Sequence, residues 1–303
     1  MNTRTKGILW YLLIAFGLAW ANWEAAYRLA GTNHPIYGMI LAAPAVFAPA
    51  LATFVVRKWI TREGFGDAGL RIDLSQWRYY LVAWLLPLFI VGCIAVLSPI
   101  CGGAKPDYSF HAGIQYLLKL GMPASLLRYP KLLIVYWIVS AVPKSFVLFG
   151  EEFGWRGYLQ LRLFPGRPLA AAVGTGIIWA IWHYPLTLRG FNYPDHPYIG
   201  SFLVFPVGAT LLSIVYGWLR LRSGSIWASS LAHSANNVIG GGIWILLFGD
   251  KVNHLISSPA GILGWVSLGA LSAWIVFTGQ LKPAESVPTA NELPLAAQAA
   301  GLS

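Results

Sequence analysis

Charge is the scarcest commodity in this sequence. Of 303 residues, 11% are Asp, Glu, Lys or Arg, where soluble domains carry about a quarter. The hydrophobic fraction is 57% and the mean hydropathy is +0.60. A water-soluble domain this apolar could not cover its surface with polar groups, whereas a chain solvated by lipid need not. Acidic residues are rarer still, 11 against 21 Lys and Arg, for a net charge of +10. The excess forms no basic stripe and no nucleic-acid-binding motif, so nucleic acid is not expected as a partner. Enrichment of Lys and Arg in cytoplasmic loops accounts for it instead. Cysteine is limited to Cys93 and Cys101, and neither sits in a CxxC pattern, which argues against a thiolate metal or redox site. Eight residues of helix would separate them by about 12 Å, too far for a disulfide unless the chain turns at Pro99. Two free thiols are expected. No internal repeat is visible, and no His-Glu-x-x-His pair of the kind that holds zinc on a helix.

What the sequence does have is apolar runs. A helix that crosses a bilayer needs roughly 20 predominantly apolar residues. Eight runs near that length occur, at 8–29, 36–56, 79–100, 132–149, 168–188, 198–219, 225–248 and 256–277. They predict an all-α, polytopic membrane helix bundle of about eight transmembrane helices, forming a single domain over residues 1–280. The Ala/Pro-rich tail, 281–303, is expected to be disordered. Arg4 and Lys6 followed by an apolar run and Ala19-Trp20-Ala21 also resemble a signal peptide with its cleavage site; the topology of the rest does not depend on it. The 101–131 segment is too broken by Gly, Pro and charge to span, and is read as a loop with a short interfacial helix near 114–120. An even number of crossings puts both termini on one side. That side carries 13 of the 21 Lys and Arg, the other 7, and Lys144 lies within a run. The charge bias therefore places both termini in the cytoplasm, with a bacterial plasma membrane as the default location.

Ionisable groups inside spans are costly and mark functional sites by default. Glu151 and Glu152 lie at the end of the fourth run, and Arg156 follows Glu152 at i+4, where the two can pair if the helix continues. Glu151 is rotated by about 100° from Glu152 on a helix and faces elsewhere. An ordinary ion pair with one extra solvated acid is the plainer reading of that segment. His183 lies in the outer half of the fifth run, and alone it would be taken for a satisfied packing residue. His233 and Asn237 stand at i, i+4 in the seventh run, among Ser229, Ser230, Ala232, Ser234 and Ala235. Those small residues suit close helix packing, and a His–Asn hydrogen bond that glues helices is the plainer reading there. Lys144, seven residues before Glu151, either offsets its charge or reaches for water. Gathered in one bundle, an acid, two imidazoles and a carboxamide suit amide hydrolysis.

Three segments carry a resemblance. Glu151-Glu152-Phe-Gly-Trp-Arg156, then Trp179-Ala-Ile-Trp-His183, then His233-Ser-Ala-Asn-Asn237 resemble the ordered signature of the CAAX prenyl protease type II family, also called the CPBP or Abi family of intramembrane peptidases. The second segment departs from the pattern, with Trp179 where the family has Phe. The swap keeps an aromatic and is read as neutral. The resemblance covers about residues 130–245. It implies a membrane endopeptidase in which Glu151 is the general base, assisted by His183. His233 and Asn237 would stabilise the oxyanion, and Glu152 and Arg156 would form a supporting ion pair. It implies a peptide or protein substrate, lipid-modified in one branch of the family, cut near the cytoplasmic face. No cofactor is expected. Zinc held by His183, His233 and Glu151 is the less favoured alternative. Two other functions fit the same inventory: a non-catalytic scaffold or self-immunity protein of the same fold, and a proton or ion carrier, which the lack of a repeat disfavours.

Overall fold

The computed structural model describes residues 2–30, 35–250 and 252–282. Among the described residues, seven helices are long and apolar enough to cross a membrane: α1 (Thr3–Ala30), α2 (Ile40–Ile60), α3 (Leu74–Ile100), α4 (Pro130–Arg162), and then, after the shorter α5 (Pro168–Trp182), α6 (Pro197–Ser223), α7 (Ile226–Phe248) and α8 (His254–Phe277). The described residues contain no β-strand. The protein is an integral membrane protein, a polytopic bundle of about eight helices as the apolar runs predict. The tail expected to be disordered lies, from residue 283 on, outside the described residues.

α5 stops short of the 168–188 run. Proline at position 185 has no N–H, and its ring crowds the carbonyl four residues back, so α5 ends at Trp182 and a separate turn, Tyr184–Thr187, follows. Fifteen residues rise about 22 Å, less than the roughly 30 Å of a hydrocarbon core. The end of α5 is therefore held inside the bundle, and His183 is the residue that closes it.

Inside lipid there is no hydrophobic drive between helices, so close packing and hydrogen bonds hold them. α7 is central, packing on α3, α4 and α6. α6 packs in turn on α5 and α8, and α2 on α1 and α4. The small residues of α7 work as expected. Ser234 Oγ donates to the Ala141 carbonyl of α4 at 2.8 Å, and Ser229 Oγ to the Tyr216 carbonyl of α6 at 2.8 Å. On α4, Gly150 and Gly154 bracket the two glutamates. A methyl at Gly150 would come 2.7 Å from the Val46 carbonyl oxygen of α2, and one at Gly154 would overlap Pro49. These two glycines let α2 close over the glutamate turn. α1 contributes the buried stripe Tyr11, Ala15, Ala19 and Trp23. It is tied to the end of α5 by Trp20 Nε1 donating to the Trp182 carbonyl at 2.9 Å and Trp182 Nε1 donating to the Ala15 carbonyl at 3.2 Å.

The loop between α2 and α3 is a buried knot of charge. Arg57, Arg162 and Arg220 come from three different helices and are each at most 8% exposed. Arg57 pairs with Asp67 at 2.6 Å, Arg162 with Asp67 at 3.2 Å and with Glu63 at 2.8 Å. Arg220 donates to the Asp67 carbonyl at 2.6 Å. Burial would push the Asp67 carboxyl up, but the Arg162 and Arg57 guanidiniums outweigh it and hold it below its usual range. Arg57 also donates to the Gly157 carbonyl at 2.9 Å. Gly157 lies in the π-helical turn Trp155–Leu159 that follows the glutamates, so this knot steadies the end of α4. In the 101–131 loop, the expected interfacial helix is His111–Lys119. Its Gly113 rides directly on the backbone of Leu246 in α7.

Candidate functional site

The helix does continue past the glutamates, and Glu152 and Arg156 pair at i, i+4 with a 2.9 Å contact between Arg156 Nη1 and Glu152 Oε1, both residues being 0% exposed. The same Oε1 accepts from His233 Nδ1 on α7 at 2.9 Å. A carboxylate can only accept, so Nδ1 of His233 carries the proton and Nε2 is turned away from Glu152. Arg156 is stacked between two rings, its Cζ 4.7 Å from the Trp179 centroid and 5.2 Å from that of Tyr216. Stacking of this kind suits guanidinium better than ammonium.

Glu151 points the other way, as its 100° rotation requires. Its Oε2 accepts from Trp179 Nε1 on α5 at 2.8 Å. Its Oε1 accepts no hydrogen bond among the described residues, and the residue keeps 4% of its surface. His183 closes α5. Its backbone N–H bonds the Ala180 carbonyl at 3.1 Å instead of reaching back a full turn, which frees the Trp179 carbonyl. The His183 ring fills the gap, with Nδ1 donating to that carbonyl at 2.9 Å. This is a helix C-terminus satisfied by its own last side chain, and it leaves His183 Nε2 unpaired. His183 is half-buried against Trp23, Trp182 and Phe205, with ring centroids 6.1, 4.8 and 5.2 Å away. Among the described residues, no hydrogen bond joins His183 to Glu151.

Asn237 is the outlier. It sits in a second π-helical turn, Asn236–Gly240, is exposed, and makes no hydrogen bond among the described residues. The plainer His–Asn hydrogen bond within α7 is therefore not formed. A carboxamide midway along an apolar span is costly against lipid, which favours an opening that water or substrate reaches. π-turns recur at functional sites, and here two of them carry Arg156 and Asn237. Lys144 does not turn to Glu151; its Nζ lies over the Tyr136 ring, 5.4 Å from the centroid. Among the described residues, no three His, Cys, Asp or Glu side chains are grouped at metal-binding spacing.

Sequence reasoning groups Glu151, Glu152, Arg156, His183, His233 and Asn237; Glu151, Arg156, His183 and His233 meet around Trp179, Glu152 joins them through Arg156 and His233, and the Asn237 side chain makes no hydrogen bond with them. It missed two members. Trp179 was read as a neutral replacement for Phe, yet it bonds Glu151 through a group that Phe lacks. Tyr216, on α6, was not singled out at all. An aromatic within an apolar span carries no signal of a polar contact; the indole N–H of Trp179 was the clue available.

Fold and site together define a polytopic membrane protein with a sealed ion pair beside a carboxylate and two imidazoles. Residues 129–239 match the family profile described as type II CAAX prenyl endopeptidase Rce1-like. A curated relative, CAAX prenyl protease 2 of Methanococcus maripaludis, is 23% identical over 229 residues, which is 70% of this chain and 76% of the relative. Both matches support a relationship of this chain to the CAAX prenyl protease type II, or CPBP, family.

Proposed function

We propose that this protein is an intramembrane endopeptidase that hydrolyses a peptide bond in a membrane-associated peptide or protein. The observation that carries the reading is the divided Glu151 carboxylate, with one oxygen tied to Trp179 at 2.8 Å and the other without a hydrogen-bond partner among the described residues. It stands beside two imidazoles whose Nε2 atoms are free. Glu151 takes the proton of the attacking water through Oε1 and returns it to the amide nitrogen as the C–N bond breaks and the amine leaves, with His183 assisting through Nε2. A positioned base of this kind contributes roughly 10²–10⁴-fold. Asn237 donates its amide N–H to the developing oxyanion. His233 joins it when Nε2 carries a second proton, an imidazolium that the Glu152 carboxylate pairs. Each oxyanion donor is worth about 10²–10³ in rate. Glu152 and Arg156 hold His233 in place.

The reaction runs without zinc in this reading, and a chelator leaves it unaffected. Loss of activity on chelation and its return with zinc would move the site to His183, His233 and Glu151 as ligands. The glutamate turn lies at the Arg-rich end of the bundle, and the positive-inside bias supports a cut near the cytoplasmic face of a bacterial plasma membrane with both termini cytoplasmic. A lipid-modified peptide is one substrate class consistent with this reading.

The test compares peptide termini in membrane fractions from cells carrying the wild type and cells carrying Glu151→Gln at matched levels. Termini that appear only with the wild type identify the substrate and its cleaved bond. Identical termini, with the variant still rescuing a knockout phenotype, would overturn the peptidase reading in favour of a scaffold.

A further inference from the structure

Trp179 touches Glu151, Arg156, His183 and His233 together. Its N–H donates to Glu151 Oε2 at 2.8 Å and its carbonyl accepts from His183 Nδ1 at 2.9 Å. Its ring face receives Arg156, and its ring lies edge-on to the imidazoles of His183 and His233, with centroids 5.6 and 5.2 Å apart. It is 4% exposed. A phenylalanine here would keep most of the packing but leave Glu151 with neither oxygen held. The indole N–H therefore does something packing does not require. It removes one oxygen from competition and fixes the plane of the carboxylate.

We infer that Trp179 is a positioning residue for the hydrolytic step: its indole N–H clamps Glu151 Oε2 so that Oε1 alone is presented to water, while its carbonyl turns His183 so that Nε2 faces the same space. This rests on the peptidase reading of the site. A hydrogen bond to a charged group contributes enough to predict a rate loss of about ten- to a hundredfold when it is removed.

The test replaces Trp179 in the full-length protein with 3-benzothienylalanine, which keeps the bicyclic ring and puts sulfur where the N–H was. Trp179→Phe and Glu151→Gln are made alongside. The first readout needs no substrate. The carboxylate stretch of Glu151 is isolated as the infrared difference between each protein and its Glu151→Gln counterpart. It is expected to shift when the N–H is lost, while the melting temperature stays near that of the wild type. The second readout is the rate at which wild-type-specific membrane peptide termini appear after induction, expected to fall about ten- to a hundredfold. An unmoved carboxylate band, or termini appearing at the wild-type rate, overturns the proposal while Glu151→Gln remains inactive. If Glu151→Gln itself produces the wild-type termini, the peptidase reading fails and the positioning role with it. If Trp179→Phe does not fold, the benzothienyl variant decides alone.

Discussion

The buried pair of Glu152 and Arg156 makes the most quantitative prediction. Both side chains are fully buried and their charged atoms stand 2.9 Å apart. At an effective dielectric of about 20, unit charges at that distance attract by about 6 kcal/mol, and desolvation of both ions offsets most of it. Arg156→Met removes the cation and leaves the Glu152 carboxylate in an apolar interior with only His233 as partner. The expected cost is about 3–5 kcal/mol of stability. Glu152→Gln in the same chain removes the orphaned charge while its amide oxygen still accepts from His233. The double variant is therefore expected to be more stable than Arg156→Met alone, with a coupling of about 2 kcal/mol or more. The assay is reversible unfolding in mixed detergent and SDS micelles, followed by circular dichroism, for the four proteins of the cycle. Additive costs, or an Arg156→Met penalty below about 1 kcal/mol, would refute the reasoning, because an exposed or unformed pair behaves in that way.

Other consequences are open to measurement. Gly154→Ala should cost about 1–3 kcal/mol by overpacking against Pro49, whereas Gly17→Ala, which meets nothing within 4 Å, should be neutral or slightly stabilising; the same unfolding assay compares them. Asn237→Ala should lower the turnover rate by about 10²–10³ with little change in melting temperature, since Asn237 is exposed and bonds nothing among the described residues. Asp67, whose carboxyl is held below its usual range, contributes stability that is fully present above the unfolded-state value near 4 and is lost as pH falls through the lower folded value. Melting temperature should thus be flat in this respect from about pH 5 to 8 and fall in acid. Asp67→Asn should be less stable at neutral pH and lose that acid dependence.

Much of this protein is readable from local pattern. Length and apolarity of the runs give the membrane class, because a bilayer admits few spanning structures besides helices. The pairing of Glu152 with Arg156 follows from helical pitch, since four residues bring them to one face. The ordered motifs picked out six side chains, of which the fold brings five together and leaves Asn237 exposed. The limits are equally specific. Arg57, Arg162 and Arg220 read as loop charges of the positive-inside kind, but they are buried around Asp67, which local spacing could not reveal. The π-turns that carry Arg156 and Asn237, two of the four among the described residues, leave no mark in the periodicity. The shortened α5 was legible at Pro185, which the apolar run masked.

Sequence by itself determined the helical membrane class, the positions of the spans apart from the shortened α5, and the identity of the polar residues that lipid would not tolerate, because each of these depends on neighbours within a turn or on solvent alone. Only the tertiary structure decided which partner holds each glutamate. Glu152 meets His233 across 81 residues of chain and Glu151 meets Trp179 across 28. Contacts at such separations depend on how α4, α5 and α7 pack, which local periodicity does not encode.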